Sequence, residues 1–165
     1  MNWLGEQIVD HMDIDSTVLD LGAGVLDQFG RVAPDVQQYV AVDVFDPYLR
    51  ALSGQAISTV KWDLCVTPFP FTSNSYDIVV MLDVLEHMDT SDGFKMIAEA
   101  ERIASERIII FTTEGYVKQD AHDAWGLGLN PHQEHRCGWN EETLKSMGYT
   151  REKSLEGMII IKELH

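Results

Sequence analysis

Two carboxylates and two glycines carry the first chemical signal in this chain. Asp20-Leu21-Gly22-Ala23-Gly24 follows the apolar Thr17-Val18-Leu19, and Asp43 ends a second apolar run 21 residues beyond Gly22. Residues 18–21 read as a short buried strand. Gly22 and Gly24 let the backbone turn sharply and approach a ligand where a side chain would collide. A carboxylate ending the next strand at this spacing can accept both hydroxyls of a ribose. G-x-G alone is a weak signal. Strand, glycine turn, helix and second strand ending in Asp together predict a nucleoside-binding half-fold. The plainer reading of the loop is a strand-to-helix turn with a capping acid, and of Asp43 a loop acid capping the turn before Pro47.

Charge narrows the nucleoside. A dinucleotide site presents a helix N-terminus to a pyrophosphate, with a third glycine that lets helix and strand pack closely. Here the third position is Leu26, and Asp20 and Asp27 flank the loop. Those anions repel a diphosphate and suit a ligand carrying an ammonium or a sulfonium. S-adenosylmethionine carries adenosine and both of those cations. Two further runs bear on the same site: Val60-Lys61-Trp62-Asp63-Leu64, and Asp77-Ile78-Val79-Val80-Met81-Leu82-Asp83-Val84-Leu85-Glu86-His87-Met88.

On these residues the chain resembles the class I S-adenosylmethionine-dependent methyltransferases, in particular their small, single-domain members that act on small molecules. The resemblance is most specific over 18–24, 61–64 and 76–88. It implies S-adenosyl-L-methionine as cofactor and S-adenosyl-L-homocysteine as product. It implies that Asp20 holds the methionine part, often through water, while Gly22, Ala23 and Gly24 give backbone access. Asp43, with Val44 beside it, would take the ribose. Asp63 would accept the adenine amino group and the Leu64 backbone N–H would meet a ring nitrogen; the plainer reading of Asp63 is a solvated strand-end acid. Leu82 and Asp83 would lie near the amino acid end of the cofactor. His87, in the D-x-x-E-H turn, is the general-base candidate, since imidazole can take a proton near neutral pH. The alternative is that Glu86-His87 only orients the turn.

The segment 114–138 is long for a connection between strand and helix, which points to function. It holds Tyr116, His122, Trp125, His132, His135 and Cys137. Asn130-Pro131-His132-Gln133-Glu134-His135 followed by Gly138-Trp139 is similar to a stretch of bacterial methyltransferases that lies over the cofactor or acceptor pocket. Tyr116, Trp125, His132 and His135 are the acceptor-side candidates. His132-x-x-His135-x-Cys137 has metal-ligating types, but a closed structural site needs four ligands and the spacing is not a recognised chelating pair. No metal is expected from it.

Stepping outward, 165 residues with 45% apolar content fit one domain with a real core, spanning 1–165. No segment approaches the roughly 18–20 apolar residues that span a bilayer. The start lacks the pattern of a signal peptide, and two cysteines make no disulfide framework, so a cytoplasmic setting is the expectation. The net charge is −15, and up to Phe94 three cations face fifteen acids. That surface disfavours nucleic acid and anionic lipid as partners. The expected partner is a small-molecule acceptor, with a homodimer or partner subunit left open.

The elements that must position these residues follow from periodicity and breakers. Helices are predicted around Leu4, Ile8, Val9 and Met12, over 25–32, over 47–52, in a segment carrying Phe94, Ile97, Ala98 and Ile103, and after the capping Asn140. Strands are predicted over 18–21, 39–44, 60–63, 76–82, 107–112, 150–155 and 158–162, the last two joined by Glu156-Gly157 as a hairpin. The class is α/β: a doubly wound, mostly parallel seven-stranded sheet, Rossmann-like, with an antiparallel C-terminal hairpin. The leading function is methyl transfer to an oxygen, nitrogen or carbon of a small molecule. A catalytically silent cofactor-binding module serving a larger methyltransferase is the second hypothesis. A nicotinamide-dependent oxidoreductase is the third, opposed by Asp20, Asp27 and the hairpin.

Overall fold

Strand β1 (Thr17–Leu21) lies inside the sheet, its residues buried on both faces as a parallel interior strand requires. The computed structural model describes residues 3–31, 33–154 and 156–164. It begins with helix α1 (Trp3–Val9) and continues through β1, β2 (Gln38–Asp43), α2 (Asp46–Ala51), β3 (Ser58–Lys61), β4 (Tyr76–Leu82), α3 (Thr90–Ile103), β5 (Ala104–Thr112), α4 (Glu141–Ser146), β6 (Thr150–Glu152) and β7 (Met158–Glu163). The seven strands take the order β3-β2-β1-β4-β5-β7-β6. Strands β1 to β5 are mutually parallel, and β7 runs antiparallel to both β5 and β6.

The alternation of side chains along each strand divides the core into two layers. Leu19, Leu21, Val79, Met81, Ile108 and Ile110 join α3, α4 and Trp139 on one face. Val18, Ile78, Val80, Leu82, Ile109 and Phe111 join Leu4 and Ile8 of α1 with Leu26 and Phe29 on the other. Helix α3 buries Gly93, Met96, Ile97, Ala100 and Ile103. Its large apolar members contribute about 1.5–3 kcal/mol each. The sequence expectation that Phe94 and Ala98 share that face is corrected: Phe94 is 39% exposed and Ala98 is exposed. The stripe is rotated by one position because Trp139 packs where Gly93 leaves room.

The helix expected over 25–32 does not form. A single 3-10 turn, Asp27–Phe29, replaces it, flanked by Leu26 and Gly30 in left-handed conformation. Two left-handed residues so close together leave too few consecutive helical positions to propagate a turn. Val32 and Leu155, the ends of two predicted elements, lie outside the described residues, as do Met1 and Asn2. The Asn140 cap does form, its side chain accepting from the Thr143 N–H at 2.8 Å.

After β1 the chain winds outward through β2 and β3, and after β4 it winds the other way through β5. The carboxyl ends of β1 and β4 therefore flank the switch point, where open α/β sheets leave a crevice.

Candidate functional site

That crevice is a cavity of about 470 Å³ lined by residues from all the strand ends around it and by the 114–138 segment. At its base, Leu21 ends β1 and the next two backbone N–H groups, of Gly22 and Ala23, both donate to Val42 O at 2.8 and 3.0 Å. The turn is thus fastened onto β2. A Cβ on Gly22 (φ +83°) would lie 2.4 Å from Val84 Cγ2, so this glycine is required by packing against the β4 turn. Gly24 (φ +56°) faces Trp125, whose ring edge would lie 3.1 Å from a Cβ there.

Asp43, at the tip of β2, is 8% exposed. Its Oδ2 accepts the Gly24 N–H at 2.9 Å and its Oδ1 the Phe45 N–H at 2.8 Å. Burial raises its pKa, and these two backbone donors and the nearby His132 oppose the rise. Each carboxylate oxygen holds a second acceptor site, so the group can still take two hydroxyls. Asp63 lines the cavity mouth, with Oδ1 accepting the Cys65 N–H at 2.9 Å, and Val44 and Leu64 stand beside these acids.

The far wall is built by the turn after β4. Leu82 ends the strand, Asp83 adopts a left-handed φ of 51°, and its N–H donates to Phe111 O at 2.9 Å. Gln28 Nε2 donates to Asp83 Oδ2 at 3.1 Å. Burial pushes the Asp83 carboxyl up to about 6. Glu86, 1% exposed, accepts from Thr112 Oγ1 at 3.0 Å, and burial together with the neighbouring Asp83 charge pushes it up to about 8. Buried side by side, the two acids each raise the cost of ionising the other, which favours keeping one of them protonated. His87 is pushed down to about 4 by burial and by His135, so its imidazole is neutral at pH 7. The rings of His87 and His135 meet edge to face with centroids 4.7 Å apart.

The sequence candidates divide cleanly on this geometry. Gly22, Ala23, Gly24, Asp43, Val44, Asp63, Leu64, Leu82, Asp83, His87, Trp125, His132 and His135 all line the cavity. Asp20 does not: it is 2% exposed beneath the loop, with Tyr39 donating to its Oδ2 at 2.6 Å. Tyr116 does not either, and it is 59% exposed. Trp125, expected on the acceptor side, packs at the glycine-loop end, edge to face with Tyr48 at 4.8 Å. Cys137 is turned away from His132, donating to Leu85 O at 3.4 Å, so that metal trio is not assembled. Gln28, Tyr48 and Glu86 are lining residues that the sequence did not single out as ligand contacts. Gln28 carries no signal because it falls in a segment whose spacing predicts a helix that does not form, whereas Glu86 is visible in the D-x-x-E-H run but reads there only as an orienting acid.

A nucleoside-sized crevice at the switch point, with an acid at the β2 tip and a glycine turn below it, narrows the family. Residues 18–106, more than half of the chain, match a family model described as a methyltransferase domain. The chain belongs to that family. No curated protein matches the sequence. Among solved structures, this methyltransferase domain resembles an S-adenosylmethionine-dependent methyltransferase from Clostridium acetobutylicum at 13% identity, covering 98% of this chain and 90% of that one with a TM-score of 0.70. It also resembles the magnesium protoporphyrin IX methyltransferase of Synechocystis, solved with S-adenosylmethionine bound, at 16% identity, coverages of 98% and 78% and a TM-score of 0.67. A third resemblance is to a chain in the complex between a Haloferax volcanii methyltransferase activator and a methyltransferase, at 12% identity, coverages of 98% and 89% and a TM-score of 0.67. Identities this low speak to the fold, which agrees in its seven-stranded sheet and reversed strand. The fold class read from the sequence is the one observed.

Proposed function

We propose that the chain binds S-adenosylmethionine in this cavity and transfers its methyl group to a small-molecule acceptor admitted beneath the 114–138 segment. One observation carries the reading: a single cavity joins the locked carboxylate of Asp43 at one end to the neutral imidazole of His87 at the other. The donor set fits the cofactor from end to end. Asp43 offers two acceptor sites to a ribose, Asp63 and the Leu64 backbone N–H are the groups proposed to read adenine, and Asp83 with Gln28 offers acceptors to an ammonium. None of these groups would attract a diphosphate.

The bound cofactor supplies an already activated methyl group, so the protein's work is alignment. Asp43 and the glycine turn fix the nucleoside end. The Asp83–Glu86 wall orients the other end and excludes water. His87 Nδ1 donates to Glu134 O at 3.2 Å, which leaves Nε2 as the lone-pair nitrogen able to receive an acceptor's proton. Such a base adds roughly 10²–10⁴-fold at best, and a conjugate acid this strong places it at the low end. A cavity of about 470 Å³ under a loop suits a small acceptor and not a macromolecular one. The net charge of −15 argues the same way against nucleic acid.

A second reading, cofactor binding in the service of a partner subunit, draws on Trp125 standing over Gly24 and on the activator complex among the structural neighbours. Calorimetry with S-adenosylmethionine, S-adenosylhomocysteine and NAD tests the binding. Release of S-adenosylhomocysteine by the purified chain across an acceptor panel separates enzyme from module. Tight binding of NAD with none of the sulfonium ligand would refute both.

A further inference from the structure

Glu86, His87 and His135 each place one possible ligand atom within 4.8 Å of those of the other two, on the wall of the cavity. We propose that this trio is a divalent transition-metal site, with the open coordination positions facing the acceptor end of the cavity.

The tautomers make the case. His87 Nδ1 faces Glu134 O at 3.2 Å and His135 Nδ1 faces Val117 O at 2.7 Å. A carbonyl only accepts, so each Nδ1 carries the ring hydrogen and each Nε2 presents a lone pair. Metal-ligating histidines are held in this way, with the other ring nitrogen donating to a carbonyl or carboxylate. The third member, Glu86, is 1% exposed and is steadied by the Thr112 hydroxyl at 3.0 Å. Its backbone oxygen accepts the N–H of Arg136 at 2.8 Å and of Cys137 at 3.3 Å, which fastens the His135 segment directly to the Glu86 turn. The proposed donors are thus the two Nε2 atoms and the Glu86 carboxyl, whose proton a bound ion would displace, and no cationic side chain among the described residues lines the cavity. Two histidines, one carboxylate and open positions form the donor set of catalytic zinc and of non-haem iron. Hard ions that demand six oxygens are a poor match.

This rests on the methyltransferase reading in one respect only, the acceptor's place in the cavity. With the ion bound, His87 Nε2 is engaged as a ligand and no longer serves as the base, so an acceptor hydroxyl bound to the ion would lose its proton to solvent. Its oxygen lone pair would then form the bond to the methyl carbon as the carbon–sulfur pair leaves on sulfur. The favoured acceptors are accordingly oxygen nucleophiles able to ligate a metal.

The test uses the full chain, freed of metal by a chelator and titrated with zinc alone by calorimetry, with cobalt(II) absorption as a second readout. One equivalent should bind, and cobalt should give the visible bands of a four- or five-coordinate site. His135→Gln and Glu86→Gln should each weaken zinc by at least about tenfold. His11→Ala, remote from the cavity, should not change it. His135 lies on a loop, so its variant keeps the test valid if Glu86→Gln fails to fold. No saturable zinc binding by the folded chain, or full binding in His135→Gln, overturns the proposal. S-adenosylmethionine is titrated separately: zinc binding through the trio without cofactor binding leaves the metal site standing and sinks the methyltransferase reading, and the reverse result does the opposite.

Discussion

Asp43 fastens two backbone N–H groups and also faces the cavity, so different substitutions should separate its roles. Asp43→Asn retains an acceptor but loses the charge, and should weaken S-adenosylmethionine binding by about 1.5–3 kcal/mol in calorimetry. Asp43→Ala should in addition lower the melting temperature, because the Gly24 and Phe45 donors lose their partner. Asp20 carries a different prediction. Burial pushes its carboxyl up to about 7, above the roughly 3.9 of an unfolded chain. The folded state holds that proton more tightly than the unfolded one. The stabilisation is complete below pH ~4 and is lost as pH rises through 7. Asp20→Asn, which cannot ionise, should gain stability relative to the parent over that interval, and parallel thermal melts from pH 4 to 8 would show it. A constant gap between the two proteins would mean that Asp20 does not titrate there. Ionisation of this kind was invisible in the sequence, because only the Tyr39 contact and the overlying loop make Asp20 an interior group.

At the scale of elements, the turn after β1 is held by its neighbour across the sheet. Gly22→Ala should destabilise by about 1–3 kcal/mol through collision with Val84, beyond its left-handed strain. Adding Val84→Ala should recover part of that loss, and equal melts for single and double variants would dismiss the collision. Strand positions were legible because short continuous apolar runs mark interior strands: 76–82 coincides with β4, and 18–21 falls within β1. The failed helix over 25–32 shows the limit. Apolar Val25, Leu26 and Phe29 looked like a helical face, yet Leu26 and Phe29 reach the core from left-handed and 3-10 conformations. Tertiary packing overrode local propensity, as it does wherever a short segment can bury the same side chains in another way. The acceptor end was less legible still, since Trp125 and Tyr116 differ in placement by contacts that spacing does not encode.

For the whole molecule, the strand order and the two-layer core make cofactor binding and global stability one thermodynamic system. S-adenosylmethionine at 100 times its dissociation constant should stabilise the chain by about 2.7 kcal/mol. In a domain of this size that is a rise of roughly 5–11 °C in melting temperature. NAD at the same concentration should give none. A rise with NAD and not with the sulfonium would contradict the donor set of the cavity. Among the described residues no helix is long and apolar enough to cross a membrane.

The stitching of the loop to the Glu86 turn is one-sided, and that has a kinetic consequence. Arg136, Cys137 and Trp139 are tied to Glu86 and Leu85 by hydrogen bonds, whereas Trp125 is held over Gly24 by ring packing on Tyr48. Among the described residues none hydrogen-bonds that indole, so opening at the Trp125 end breaks no such bond while the other end stays clamped. Traffic of the nucleoside should therefore pass a hinged indole while the acceptor enters a fixed mouth. Turnover would then be ordered, nucleoside first in and last out, with the departure of the spent nucleoside setting the pace. Raising solvent viscosity should slow kcat in the parent and slow it less in Trp125→Ala, where the latch is gone.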